Sequence, residues 1–218
     1  MPARELDVVW SRPAAERVGT PLLVLLHGYG SSPENILAAT HGLPPEFTLA
    51  APRGPLDVGG DRGWFLLDYF LANDFAEVMA TTTAVQAWVN TVRGSHASVS
   101  LVGFSQGMAL ASTLLRLKPE AYAATVGLSG FVLESEILSL TESLPERPAF
   151  FWGRDAEDPV INPDAVAYSA EWLDEHVQLT ARTYPGMGHR IGRPELADVE
   201  VFLRHYVLNA RHSEGDHR

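Results

Sequence analysis

The chain has 218 residues, a formal net charge of −11, 46% apolar residues and no cysteine. That length and composition suit one large globular core, while the charge, unrelieved by any Lys/Arg stripe, argues against a nucleic-acid partner. The missing cysteines exclude disulfides, thiolate metal sites and a cysteine nucleophile, and no apolar run approaches a membrane span.

Leu6–Trp10 and Leu22–His27 read as the first strands, separated by a polar stretch with Pro13 and Gly19. Leu22–Leu26 does not alternate, the pattern of a strand buried on both faces under helices. Ser32-Pro33-Glu34-Asn35 opens a short helix, with Ser32 as cap and Pro33 at the first helical position. Phe47–Ala51 is a strand stopped by Pro52, and residues 53–72 form a glycine-rich connection that turns aromatic. Helical spacing runs from Asp74 to Val92, weakened by the threonines 81–83. A strand at 99–102 leads into a helix that ends near Lys118-Pro119, followed by a strand over 123–128 and a loose helix over 133–144. A strand at 149–152, a helix over 164–176, a strand over 179–184 and a helix over 194–208 complete the pattern. Strands alternating with helices predict a single α/β domain over 1–210, with a frayed polar tail at 211–218.

Gly103-Phe104-Ser105-Gln106-Gly107 sits between the strand at 99–102 and the helix behind it. In that context a Gly-x-Ser-x-Gly pentapeptide is a nucleophile elbow, with the serine cramped in a turn that needs small neighbours. The other reading is a structural turn serine. A serine nucleophile needs an imidazole base, and the base needs an acid to hold its tautomer. His189, in the glycine-flanked loop Gly186-Met187-Gly188-His189 after the last strand, is the expected base. The acid belongs in the loop after 149–152, which offers Asp155, Glu157 and Asp158. Asp158 is preferred because Pro159 restricts its backbone; Asp155 is the rival, or else bonds to loop amides, and Glu157 is taken as solvated. His27-Gly28-Tyr29-Gly30 follows the buried second strand, and its glycines let backbone N–H groups turn inward. Tyr29 and Gln106 are expected to supply oxyanion-hole N–H groups, with His27 bracing the loop; the plainer reading is a tight turn.

These pieces together resemble the phospholipase/carboxylesterase family of α/β hydrolases, which includes the acyl-protein thioesterases. The matching residues are Leu26–Gly30, Arg62-Gly63-Trp64-Phe65, Gly103–Gly107, Leu128-Ser129-Gly130, Asp158-Pro159-Val160 and Gly186–His189, in order along the whole chain. The resemblance implies an α/β-hydrolase fold: a mostly parallel central sheet, helices on both faces and no large cap domain. It also implies Ser105, Asp158 and His189 as nucleophile, acid and base, oxyanion amides at Tyr29 and Gln106, Trp64 beside the substrate pocket, and no cofactor; no paired-histidine spacing in the sequence points to a metal. Two departures stand out: Met108 replaces a frequent second glycine, and the acid loop is about two residues longer than the short form. The apolar stretch 64–71 is either a flap and acyl wall, with Trp64 and Phe65 in contact with substrate and Met108 at the pocket floor, or a core element.

The expected function is serine carboxylesterase activity on short- to medium-chain esters through an acyl-enzyme. The close alternative is an acyl-protein thioesterase or lysophospholipase acting on long chains. A different class, a non-catalytic binding scaffold, would need a broken triad or a filled pocket. The expected partner is a small-molecule or lipid ester, with no nucleic acid and no stable membrane insertion, and the chain a monomer or homodimer. The N-terminus carries Arg4, Glu5, Asp7 and Arg12 without an apolar signal core, so a cytoplasmic location is expected.

Overall fold

The computed structural model describes residues 6–67, 75–141, 144 and 146–209. Its strands are β1 (Val8–Trp10), β2 (Leu22–Leu26), β3 (Thr48–Pro52), β4 (Leu56–Val58), β5 (Asp61–Gly63), β6 (Val99–Phe104), β7 (Thr125–Leu128), β8 (Ala149–Arg154) and β9 (Gln178–Thr183). The α-helices are α1 (Pro33–Ala39), α2 (Ala76–Val92), α3 (Gln106–Leu117), α4 (Glu136–Thr141), α5 (Pro163–His176) and α6 (Arg193–Leu203). Seven strands form one sheet in the order β1-β3-β2-β6-β7-β8-β9. β1 is antiparallel to β3, and every other pair in the sheet is parallel.

All five residues of β2 are fully buried, as expected of a strand covered on both faces. Leu22, Val24 and Leu26 face a core built with Val85 and Val89 of α2, Leu110 and Leu114 of α3 and Trp172 of α5. Leu23 and Leu25 face the other way, towards Ile36 of α1 and Val199, Phe202 and Leu203 of α6. From β2 the chain proceeds to β3 on one side, while β6 pairs with β2 on the other. The carboxyl ends of β2 and β6 therefore flank a switch point, where an open α/β sheet forms a crevice.

Several boundaries differ from the sequence expectation. β1 starts at Val8, and Pro52 is not a stop but the last residue of β3, paired with Val8 next to the sheet edge, where its missing N–H is tolerated. The connection after β3 contains a hairpin, β4–β5, joined by Gly59 and Gly60, both at positive φ. The threonines of α2 do not break it, because Thr82 Oγ1 donates to the Val78 carbonyl and Thr81 Oγ1 to the Trp64 carbonyl. The loose helix over 133–144 is reduced to Glu136–Thr141, and the last helix ends at Leu203 in a π-helical stretch, Arg204–Asn209. The start of the expected helix at Asp74, residues 68–71 of the apolar stretch and the tail 211–218 lie outside the described residues.

Candidate active site

β6 is held between β2 and β7, and the chain leaves it in a turn that only glycine permits on both sides. A Cβ on Gly103 would collide with the Gly107 carbonyl, and one on Gly107 with the carbonyls of Leu26 and His27. Between them Ser105 sits at φ 55°, a left-handed conformation that a non-glycine residue adopts at a cost. Its N–H donates to the Leu128 carbonyl at 2.9 Å, which fixes the turn to β7. The side chain emerges at the N-terminus of α3.

The loop after β9 brings His189 to Ser105: Nε2 lies 3.0 Å from Ser105 Oγ. On the other side of the ring, Nδ1 lies 2.8 Å from Asp158 Oδ2. These partners suit a neutral imidazole with the proton on Nδ1, donating to Asp158 and accepting from the serine hydroxyl. The Asp158 side chain is 4% exposed and that of His189 17%. Asp158 Oδ1 also accepts the Val160 N–H at 2.8 Å, so the carboxylate is oriented from both oxygens. Phe104 packs against His189 with ring centroids 5.0 Å apart.

Asp155 is buried and bonds elsewhere. Its Oδ2 accepts the Gly188 N–H at 2.7 Å and its Oδ1 the Glu157 N–H at 3.1 Å. The Gly188 amide first, then that of Glu157, hold its carboxyl below the usual range. Asp155 thus anchors the loop that carries His189, while the expected partner of the imidazole, Asp158, occupies that place.

The loop after β2 lies against Ser105: a Cβ on Gly28 would sit 3.3 Å from Ser105 Cβ. Among the described residues, neither the Tyr29 nor the Gln106 backbone N–H has an acceptor. His27 is fully buried and braces this loop, its Nδ1 meeting the Gly28 carbonyl at 2.8 Å and its Nε2 accepting the Gly54 N–H at 3.1 Å. Burial pushes the His27 imidazole below its usual pKa, so the neutral ring is the form that fits.

The sequence profile of the phospholipase/carboxylesterase family matches residues 13–207. The chain belongs to the phospholipase/carboxylesterase family. Over 112 residues it is 34% identical to acyl-protein thioesterase 1 of Candida albicans, an alignment covering 48% of this chain and 48% of the relative. The chain thus spans about half the length of the first curated relatives it matches. Among solved structures, esterase PE8 superimposes with a TM-score of 0.79 at 25% identity, covering 94% of this chain and 100% of that one. A carboxylesterase from Mesorhizobium loti gives a TM-score of 0.74 at 23% identity, over 91% and 94% of the two chains. The fold is that of the α/β hydrolases, without a large cap among the described residues.

Three further positions expected at the substrate pocket lie beneath the surface. Trp64 and Phe65 are each 1% exposed and Met108 is fully buried. The Trp64 indole N–H donates to the His27 carbonyl at 2.7 Å, and the ring stacks on the His27 imidazole at 4.8 Å. Met108 extends into space left by two glycines, Gly127 and Gly130, directly behind Ser105. The exposed part of this segment is Leu66 and Leu67, 43% and 44% exposed.

Two side chains in this family member were not singled out from the sequence for what they do here. The Gln106 side chain is buried; its Oε1 accepts the Trp64 N–H at 2.9 Å and its Nε2 donates to the Phe65 carbonyl at 2.7 Å. An amide directly after the elbow serine and aimed into the core was the available signal. Glu195, buried at the start of α6 behind the His189 loop, is the other. Its spacing three residues after Gly192 marks a capping glutamate, but nothing in that spacing foretells burial.

Proposed function

We propose that the protein is a serine hydrolase of carboxylic esters, acting through an acyl-enzyme. The observation that carries this reading is the continuous hydrogen-bonded series Ser105–His189–Asp158 beside two unpaired backbone amides. Ser105 Oγ attacks the ester carbonyl as His189 Nε2 takes its proton, and the Tyr29 and Gln106 N–H groups receive the oxyanion. His189 returns the proton to the leaving alcohol, then deprotonates the water that releases the acid. Asp158 holds the imidazole in register and stabilises its cationic form during both steps.

Met108 sets the preferred acyl length in this reading. Its side chain fills the space behind Ser105, and in this reading that restricts the acyl group to short and medium chains. The relatives that are themselves named acyl-protein thioesterases favour a second reading, cleavage of long-chain thioesters by the same residues. Mass spectrometry after treatment with an organophosphonate tests the first claim: a single adduct on Ser105 is expected, and a folded sample that stays unlabelled overturns it. A series of p-nitrophenyl esters beside a palmitoyl thioester tests the second. Rates that peak between acetate and hexanoate support the carboxylesterase reading, and rates rising steadily to palmitate, or better cleavage of the thioester, replace it with the thioesterase. Met108→Ala is expected to move the optimum to longer chains.

A further inference from the structure

Glu195 is a buried acid that the proposed reaction does not use. It lies in the first turn of α6 with no exposed surface, and its Oε2 accepts the Gly192 N–H at 3.2 Å. A glutamate at this helical position ordinarily makes that bond from the surface, with its second oxygen in water. Here the second oxygen, Oε1, is buried without a hydrogen-bond partner among the described residues. It fills the place where a side chain on Gly153 would begin.

Those two contacts are on the two segments that carry His189 and Asp158. Gly192 closes the loop three residues after His189, and Gly153 lies in β8 five residues before Asp158. The Gly153 carbonyl accepts the Ser129 N–H at 2.8 Å, tying this end of β8 to β7. A capping role alone would leave the carboxyl at the surface, since burying a polar group without a partner costs free energy. We infer that Glu195 is a positioning residue that spans the His189 loop and the β8 end and sets the separation at which His189 meets Asp158. This inference rests on the hydrolase reading above.

The chemistry of the surroundings says in which form it acts. Burial raises the Glu195 carboxyl to about 7, with the Gly192 amide opposing. Across the end of β9, Tyr184 senses the charges of both Asp198 and Glu195, and its hydroxyl donates to Asp198 at 2.7 Å. On α6 itself the charged neighbours are Arg193, exposed beside the helix start, and Asp198. No basic side chain pairs with Glu195 among the described residues. The neutral acid is therefore a major form near pH 7, and glutamine reproduces its shape, placing an NH₂ group where the acid carries its hydroxyl. Aspartate, one methylene shorter, cannot reach both segments.

The test is steady-state kinetics on p-nitrophenyl butyrate for wild type, Glu195→Gln, Glu195→Asp and Glu195→Ala, with circular dichroism to establish folding. Glu195→Gln should keep kcat within about threefold of wild type, whereas Glu195→Asp and Glu195→Ala should lose at least ~10-fold in kcat with KM changed less than ~2-fold, as expected when a displaced base leaves binding intact. Organophosphonate labelling of Ser105 should slow in the same order. Should Glu195→Ala fail to fold, the comparison of Gln with Asp decides by the same criteria. Folded Asp or Ala variants with near-normal kcat overturn the inference, as does a Gln variant as impaired as Ala or a loss carried by KM. Wild-type protein inert towards both ester and phosphonate would remove the hydrolase reading itself, and the inference with it.

Discussion

Asp155 and Asp158 stand three residues apart on one loop, yet their carboxylates meet different partners. Asp158 faces the imidazole at 2.8 Å, while Asp155 receives the Gly188 amide at 2.7 Å. Replacing Asp158 by Asn removes the charge that supports the imidazolium and leaves an amide able to present its NH₂ to Nδ1, so kcat should fall by a factor on the order of 10⁴. An asparagine at 155 can keep its oxygen on the Gly188 N–H and gives up only the Glu157 bond, so Asp155→Asn should cost less than ~10-fold, the scale of one lost hydrogen bond. Kinetics of both variants on one soluble ester check the ranking, and the reverse order would move the acid role to Asp155. The preference for Asp158 was legible because Pro159 constrains the residue before it. The partner of Asp155 was not, because it is a main-chain amide 33 residues away and leaves no mark on side-chain chemistry. The Gln106 side chain was hidden for a similar reason: its acceptor and donor are backbone groups of Trp64 and Phe65, more than 40 residues upstream.

Among the elements, the buried strands and the long helices were legible and the short β4–β5 hairpin was not. β2 announces itself through a continuous apolar run, β6 through an apolar run broken by Ser100, and the elbow through two glycines whose Cβ atoms would strike backbone. The β4–β5 hairpin, Leu56-Asp57-Val58 and Asp61-Arg62-Gly63, is too short and too mixed to show a period. The Gly59-Gly60 pair between its strands was its one cue. That hairpin matters, since Gly63 packs against the Tyr29 ring and precedes Trp64, which bonds to His27. The loop after β2 therefore depends on a neutral His27 between the Gly54 amide and the Gly28 carbonyl. Because burial lowers the folded-state pKa of His27 below 6.5, the unfolded chain binds the proton more readily. Its contribution to stability is complete above about pH 6.5 and is lost as pH falls from there through the folded-state value. Urea unfolding midpoints between pH 5 and 8 should show this decline in wild type and a shallower one in His27→Gln; equal slopes would show that His27 is not its source.

Across the whole molecule, the proposed catalytic groups hang from strands of unequal security. Ser105 follows β6, a central strand with a neighbour on each side, whereas His189 follows β9, the last strand of the sheet, whose outer edge has no partner among the described residues. Most of β9 is solvent-exposed, from Ala181 to Thr183 in particular. Opening free energies within one protein range from near zero at frayed edges up to the global value at the core. Ser105 is thus expected on one of the last parts of the molecule to come apart, and His189 on one of the first. Under slowly increasing urea, ester hydrolysis should disappear before the far-ultraviolet dichroism changes, and amide hydrogens of β9 should exchange ahead of those of β6. Coincident loss of activity and secondary structure would mean that the ties made by Asp155 and Glu195 weld the edge to the centre. If the two losses separate, mild stress leaves a folded but silent protein whose Ser105 turn is intact, and restoring native conditions returns activity without refolding the sheet.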